Sequence, residues 1–184
     1  IKGNIRMDQE KIEDVVDFQR YRAQELYAEA MWMEKQGEIG TAISRYLRSA
    51  EMDIECSQGY VAAGVLYDQR EEFDAAKSCF LRAIERGNEP MAYYCLAFVQ
   101  EKEGDLDAAL ENYQVSVDLI PDFTEGYIGL GDILLRRTEY EKAQHSYERA
   151  VYTDPLNLLV HVKRNAVRRY REFENPFPKC MPPD

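Results

Sequence analysis

The sequence has few of the residues and patterns that mark catalytic or metal-binding proteins. It contains two histidines, one tryptophan and four cysteines in 184 residues. The cysteines occur singly with no C-x-x-C spacing, which excludes a zinc knuckle and a thioredoxin-like motif. The sequence also lacks a glycine-rich phosphate loop, a G-x-S-x-G elbow and an H-E-x-x-H motif. We therefore expect no enzyme activity, no cofactor and no metal site.

Long hydrophobic runs are also missing. No stretch of about 18 apolar residues occurs, so the sequence predicts no membrane-spanning helix. Residues 1–7 carry Lys2 and Arg6 without the apolar core of a signal peptide. Because the first residue is Ile1 and not methionine, a processed or truncated piece stays open as an alternative. Scattered single cysteines are typical of a reducing compartment, and we expect a cytoplasmic location.

Acidic residues outnumber basic ones by 34 to 23, and the net charge of −11 disfavours general binding to nucleic acid. The charge is uneven, because residues 158–184 carry six basic and three acidic groups. This basic end permits three interpretations: a solvated helix face, a site for an anionic partner, or a contact that forms a homo-oligomer. The tail at the end of the chain could also dock into an acidic groove of its own molecule.

A repeat organises the rest of the sequence. An alanine followed four residues later by an aromatic residue recurs four times, with 33 or 34 residues between successive alanines. The four pairs are Ala42 and Tyr46, Ala76 and Phe80, Ala109 and Tyr113, and Ala143 and Tyr147. A second column of small residues precedes them, namely Ala30, Gly64, Ala97 and Gly131. Small residues at a fixed spacing predict pairs of helices that approach closely and stack on one another.

On these columns, the chain resembles the tetratricopeptide repeat family over about residues 23–157. The second, third and fourth units fit the family pattern best, with Tyr60-x-x-Ala63-Gly64, Tyr93-x-x-Leu96-Ala97 and Tyr127-x-x-Leu130-Gly131. The first unit departs from it, because Glu29 stands where an apolar residue is expected. The resemblance implies an all-α fold, a right-handed α-solenoid of four helix pairs with an N-terminal helix and a C-terminal capping helix.

We expect the following organisation along the chain. It begins with an N-terminal extension, 1–22, with a helix over about 8–22, and it ends with a capping helix, 158–174, and an extended proline-rich tail, 175–184. The four units between them are 23–56, 57–89, 90–123 and 124–157. Their predicted helices are 23–36, 39–52, 57–70, 73–86, 90–103, 106–119, 124–137 and 140–153.

The two terminal helices have predicted apolar sides. That of the first helix consists of Ile12, Val15, Val16 and Phe18. In the capping helix, we expect an inward-facing apolar set: Leu159, Val162, Ala166 and Tyr170. The basic residues of that helix are expected to face outward: Lys163, Arg164, Arg168, Arg169 and Arg171.

The resemblance also implies a binding groove, lined by fixed positions on the first helix of each unit. These positions carry an apolar stripe, which consists of Tyr27, Met31, Val61, Val65, Tyr94, Phe98 and Ile128. Beside the stripe, Glu34, Asp68 and Glu101 form an acidic row, and Asp132 occupies a further lining position. Packing between repeats is the alternative interpretation of the stripe. If the stripe is exposed, however, a patch of this kind indicates an interaction surface.

The chemistry of this groove predicts the kind of partner. The family's carboxylate clamp needs Lys, Asn and Arg, and this chain has Tyr27, Met31, Ala62, Met91 and Cys95 at the corresponding places. We therefore expect a protein or peptide partner that is apolar and carries Lys or Arg, with neither nucleic-acid binding nor membrane insertion. The predicted function is a protein-interaction scaffold or adaptor. The alternatives are a dedicated chaperone for a secretion or assembly substrate and a self-assembling structural module.

Overall fold

The computed structural model describes residues 2–53, 57–87 and 89–174, with side chains described from residue 15 to residue 171 within these ranges. This part of the chain forms helices and no strand. The helices are α1 (Lys2–Lys35), α2 (Ile39–Met52), α3 (Gln58–Gln69), α4 (Phe73–Gly87), α5 (Pro90–Glu103), α6 (Leu106–Leu119), α7 (Thr124–Arg136), α8 (Tyr140–Thr153) and α9 (Leu158–Glu174). The predicted tail, 175–184, lies outside the described residues.

The predicted all-α fold of paired helices followed by a capping helix is confirmed. The ends of α2 to α8 lie within one residue of the predicted helices. The predicted N-terminal helix is continuous with the first helix of the first repeat, because neither glycine nor proline interrupts the sequence between them. The division of the chain into the individual repeats stays a prediction.

The turn inside each helix pair requires one residue in the left-handed region. This residue is Gly37 with φ of 81° in the first repeat and Gly104 with φ of 88° in the third. The equivalent positions in the second and fourth repeats are Glu71 and Thr138, each with φ of 60°. Glycine adopts this conformation without steric cost, whereas a β-branched threonine does not. Two of the four turns are therefore made at a conformational cost.

The chain divides into two compact units, and the first comprises Ile1–Val99. In this unit, α2 packs against α1 and α3, and α3 packs against α4. Ala42 and Tyr46 from the repeat columns are buried against Ala30 and Leu66. A Cβ atom at Gly64, in the small-residue column, would lie 2.5 Å from the ring of Phe80. A small residue is therefore needed at this position because an aromatic ring packs directly against the helix backbone.

The apolar side predicted for the N-terminal helix faces solvent. Val15, Val16 and Phe18 are exposed on α1. The side chain of Ile12 lies outside those that the structure describes. Residues 15–18 of α1 therefore present apolar side chains to solvent, whereas Leu26 and Ala30 further along the helix are buried.

The second unit comprises Gln100–Asp184, and in it α6, α7, α8 and α9 each pack against the next helix. Its core combines the repeat columns with side chains of α9. The buried members of this cluster are Leu134, Ala143, Tyr147, Ala150, Val160 and Val167. The last helix is thus held against the fourth repeat by two valines.

The predicted orientation of α9 was wrong. Leu159, Val162 and Tyr170, expected inside, are exposed, and Ala166 is half-buried. Val160 and Val167 are fully buried instead. Both sets follow helical spacing, so the pattern alone favoured the set with more apolar residues. The two short valines instead pack with Ala143 and Ala150, whose small side chains leave room for a close approach.

The buried face of α9 also includes basic residues. Lys163 and Arg164, expected to face outward, lie between the two buried valines on this face and are half-buried. Lys163 Nζ is 2.6 Å from Asp132 of α7. The other basic residues, Arg168, Arg169 and Arg171, are exposed as predicted. An ion pair across helices therefore accompanies the burial of α9, and apolar spacing alone could not predict it.

Candidate peptide-binding surface

The apolar stripe in the first unit contains both exposed and packed side chains. Met31 of α1 is 44% exposed and Phe98 of α5 is 41% exposed. Val61 and Val65 of α3 are half-buried and pack against a buried cluster. Tyr94 is half-buried. Exposed apolar surface in the predicted stripe is therefore concentrated at Met31 and Phe98.

Tyr27 connects the stripe to the helix pair beneath it. Its ring packs edge-on against that of Tyr46, with 5.0 Å between the ring centroids and an angle of 64° between the planes. Such T-shaped pairs stabilise beyond the area they bury. Tyr27 is half-buried, so part of its side chain remains accessible to solvent.

The acidic side chain of the first repeat has a partner within its own helix pair. The hydroxyl of Tyr46 on α2 donates a hydrogen bond of 2.7 Å to Glu34 on α1. Burial, together with this bond, raises the pKa of Tyr46 above its ordinary value. In the second repeat, the equivalent acid is Asp68, and the aromatic position holds Phe80, which has no hydroxyl.

Asp68 has a different neighbour, the thiol of Cys95. Burial raises the pKa of Cys95 to about 12, and the negative charge of Asp68 contributes in the same direction. Burial also raises the pKa of Cys79. Cys79 is buried and Cys95 is half-buried. Neither has the lowered pKa of a reactive cysteine.

In the second unit, the acidic residues also accept hydrogen bonds from tyrosines. The Tyr113 hydroxyl lies 3.1 Å from Glu101, and Arg136 lies 3.3 Å from the same carboxylate. The Tyr147 hydroxyl donates a bond of 2.6 Å to Asp132. The carboxylates of Glu101 and Asp132, both predicted to line the groove, therefore already have hydrogen-bond partners in the folded chain.

Asp132 is the most fully engaged of these carboxylates. Its two oxygens are each 2.6 Å from Lys163 Nζ, and both side chains are partly buried. Ile128, one turn earlier on α7, is half-buried and packs against the core cluster of this unit. A ligand cation at Asp132 would therefore compete with a lysine of the chain itself.

Sequence reasoning missed the tyrosine hydroxyls as partners of the acidic row. The signal was present, because the aromatic column holds tyrosine in three repeats and phenylalanine in the second. In the fourth repeat, Leu135 stands at the place of Glu34 and Glu101, and Asp132 accepts the hydrogen bond from the preceding turn. Which acid a hydroxyl reaches depends on helix packing, and spacing alone does not determine it.

The residues that the structure describes do not form a candidate metal site. There, no three histidine, cysteine or acidic side chains come together as a group that could hold a metal ion. His161 Nε2 lies 2.9 Å from the backbone oxygen of Pro155. His145 is exposed on α8. Across the described ranges, every helix is too short or too polar to cross a lipid bilayer.

Comparisons with known proteins agree with the repeat pattern. A family model described as "Tetratricopeptide repeat" matches residues 57–86 and 124–155. The chain is 28% identical to BBSome complex member BBS4 of Bos taurus over 121 residues, which is 66% of this chain and 23% of that protein. It is 31% identical to Hsp70-Hsp90 organizing protein 3 of Arabidopsis thaliana over 90 residues, 48% of this chain and 16% of that protein. It spans less than a quarter of these relatives.

A solved structure shows the same fold. YrrB, described as a TPR protein with an unusual peptide-binding site, superposes with a TM-score of 0.65 at 24% identity. The match covers 80% of this chain and 76% of that of YrrB. At this level of identity, the similarity concerns the fold.

Proposed function

Because the chain belongs to the tetratricopeptide repeat family, we propose that it is a protein-interaction scaffold without enzyme activity that binds a polypeptide segment on the first helices of its repeats. The observation that carries this proposal is the exposure of Met31 and Phe98 at two of the predicted lining positions. Exposed apolar side chains gain the most from burial under a partner, at roughly 25 cal/mol for each Å² removed from water.

The proposed ligand is an apolar segment that carries Lys or Arg. In the first unit, its surface comprises Tyr27, Met31, Glu34, Val61, Val65, Asp68, Tyr94 and Phe98. The repeat register assigns Glu101, Ile128 and Asp132 of the second unit to equivalent positions. Apolar anchors would supply affinity, and the carboxylates would favour ligands with basic groups.

The carboxylates of this surface differ in how many of their oxygens already accept hydrogen bonds within the chain. Glu34 keeps a second carboxylate oxygen beyond the one that Tyr46 contacts, so it can still accept a bond from a ligand cation. Asp132 is less available, because Lys163 contacts both of its oxygens. Among the acidic lining residues, we therefore infer that Glu34 contributes more to ligand binding than Asp132 does.

The test is a peptide array probed with the full chain, followed by affinity measurements on the peptides that bind. We expect peptides with apolar and basic residues, and a loss of affinity of at least tenfold in Met31→Ala/Phe98→Ala. The matched control is Leu81→Ala/Tyr152→Ala, which removes two exposed apolar side chains from α4 and α8 and should change affinity less than twofold. Circular dichroism should give similar melting curves for both variants.

Two outcomes would contradict the proposal. One is a preference for acidic peptides without apolar residues. The other is an equal loss of affinity in the control variant, which would show that the binding surface lies elsewhere.

Self-association through α9 is a second candidate function, favoured by the exposure of Leu159 and Val162. A helix face of this kind in contact with water is a surface that a second molecule can cover. Sedimentation of the chain over a range of concentrations should then show a dimer or larger species. Leu159→Glu/Val162→Glu should remain monomeric, and a monomer for both proteins at all concentrations would eliminate this candidate.

A further inference from the structure

The second unit contains an apolar cleft on a side of α7 that the proposed binding surface does not use. The cleft has a volume of about 750 Å³, and it is bounded by α6, α7 and α8. Its apolar lining consists of Leu110, Val115, Leu130 and Leu134. The volume lies in the range of clefts that bind ligands, which is roughly 300–1,000 Å³.

The position of the cleft on α7 separates it from the predicted groove. Leu130 and Leu134 lie one turn apart on the cleft side, whereas Ile128 and Asp132 lie one turn apart on the groove side. A shift of two residues corresponds to a rotation of about 200° around a helix. The two sets of side chains therefore leave α7 in nearly opposite directions.

One residue of the apolar lining departs from the repeat. The position of Val115 holds arginine in the other three repeats, at Arg48, Arg82 and Arg149. Arg82 lies over the ring of Tyr60 at 5.9 Å, and Arg149 lies over the ring of Tyr127 at 5.4 Å. In the third repeat, a short apolar side chain replaces this long cation. An apolar residue at this lining position is therefore specific to the third repeat.

The charges at the cleft are predominantly acidic. Glu111 lines the cleft without an ion-pair partner among the described residues. Lys142, the cation in the lining, is paired at 2.6 Å with Glu139. The carboxylate of Glu141 lies 3.6 Å from the guanidinium group of Arg171, so its position is one that accepts a cation. A basic group would therefore meet favourable charge at Glu111 and Glu141.

From these observations, we propose that the cleft binds an amphipathic helix of a partner protein, which inserts an apolar side chain between α6 and α8. A Lys or Arg of the same helix contacts Glu111 or Glu141. A helix is the occupant because two neighbouring helices, α6 and α8, form the walls, and apolar grooves of this kind receive the apolar face of a third helix. This site is additional to the surface under the proposed function and does not depend on it.

The experiment uses a phage-displayed pool of helical peptides with a fixed apolar face and with Lys, Glu or Gln at the flanking positions. Selected peptides are then titrated against the full chain by fluorescence anisotropy. We expect the selected sequences to carry Lys or Arg. Val115→Arg, which restores the residue of the other repeats, should weaken binding at least tenfold, because it replaces an apolar lining residue by a long cation that also repels the Lys or Arg of the ligand.

Two further variants make the result specific. Met31→Ala/Phe98→Ala should change the affinity of these peptides less than twofold, which separates this site from the proposed groove. Glu111→Lys/Glu141→Lys alters only exposed residues and should weaken binding at least fivefold at low salt, with a smaller effect at high salt. This charge variant also tests the proposal if Val115→Arg fails to fold.

The proposal is overturned if no peptide is selected, if the selected peptides are acidic, or if both cleft variants bind them as the natural chain does. It is also overturned if an apolar dye binds in a Val115-dependent manner while no peptide does. That result would assign the cleft to small molecules.

Discussion

Tyr147 donates a hydrogen bond of 2.6 Å to Asp132, and the same carboxylate holds Lys163 of the last helix at 2.6 Å. One acidic residue thus connects α7, α8 and α9 of the second unit. A tyrosine-to-acid bond also occurs between Tyr46 and Glu34 in the first unit. The acids that sequence analysis assigned to ligand binding therefore also hold helices together.

Replacing Tyr147 by phenylalanine should test this structural role. The ring would remain in the core, but Asp132 would lose a partner at a partly buried site. Hydrogen bonds to charged groups contribute about 1.5–3 kcal/mol, and we expect a loss of this size in urea unfolding of Tyr147→Phe. Tyr152→Phe, at an exposed position on the same helix, is the control and should leave stability unchanged. Equal stabilities for the two variants would show that the Tyr147 bond contributes nothing.

The same hydroxyl should make the chain sensitive to alkaline pH. Burial and the bond to Asp132 raise the pKa of Tyr147 above its ordinary value of 10. Near pH 10, the unfolded chain therefore releases a proton that the folded chain retains. The stabilisation is complete below pH 10 and decreases above it, by up to about 1.4 kcal/mol per pH unit for one proton.

Urea unfolding at pH 9, 10 and 11 measures this dependence. The natural chain should lose stability more steeply above pH 10 than Tyr147→Phe, which has no hydroxyl to titrate. Other groups titrate equally in both proteins, so the difference in slope isolates Tyr147. Parallel slopes would contradict a raised pKa at this residue.

The helix pairs could be predicted from sequence because their determinants are local and recur. Each pair repeats a small residue and an aromatic residue at a fixed spacing. A helix boundary that is uncertain in one repeat can therefore be assigned from the other three. The orientation of α9 was predicted from helical spacing alone, which offers two apolar faces. The repeat register would have identified the buried face, because Val160 and Val167 stand 34 residues after Gly126 and Ile133, which are buried on α7. The contact of Lys163 with Asp132 is a tertiary contact that neither pattern predicts.

The candidate binding surface stays a prediction. The resemblance to the repeat family assigned Met31 and Phe98 to the lining of the groove, and both side chains are exposed. It did not indicate that Val61 and Val65 pack against the core, because this depends on the depth at which α3 lies in the unit. The Val115 cleft is visible in the sequence only as one missing arginine in a column.

Thr138 offers a test of the conformational cost in the turns. Its φ of 60° is unfavourable for a β-branched residue, whereas Gly104 occupies the equivalent turn of the third repeat at 88°. Thr138→Gly should therefore raise the free energy of unfolding by about 1 kcal/mol, because the left-handed conformation costs about 1–2 kcal/mol for most residues. The reciprocal variant Gly104→Thr should lower it by a similar amount. Thermal unfolding of the two variants would disprove this explanation if both shifts had the same sign.

Close approach of α3 to α2 predicts opposite effects for two alanine substitutions. A Cβ atom at Gly59 would clash with the backbone oxygen of Tyr46, whereas one at Gly40 meets nothing within 4 Å. Gly59→Ala should lower stability by about 1–3 kcal/mol, since the backbone cannot move aside cheaply. Gly40→Ala should raise stability by up to about 0.5–1 kcal/mol, because alanine favours the helix. Urea unfolding of both variants gives the comparison, and a tolerant Gly59 would show that α2 and α3 can separate.

Burial of two thiols predicts slow alkylation in the folded chain. In the variant Cys56→Ser/Cys180→Ser, the remaining cysteines are Cys79 and Cys95. Since the pKa of Cys95 is raised to about 12, only a small fraction is thiolate at pH 8, and thiolate is the form that reacts. We expect iodoacetamide to label Cys95 at least about a hundredfold more slowly in the native protein than in urea, as followed by peptide mass spectrometry. Rapid native labelling at Cys95 would mean that α5 opens readily and that the surface around Phe98 is not preformed.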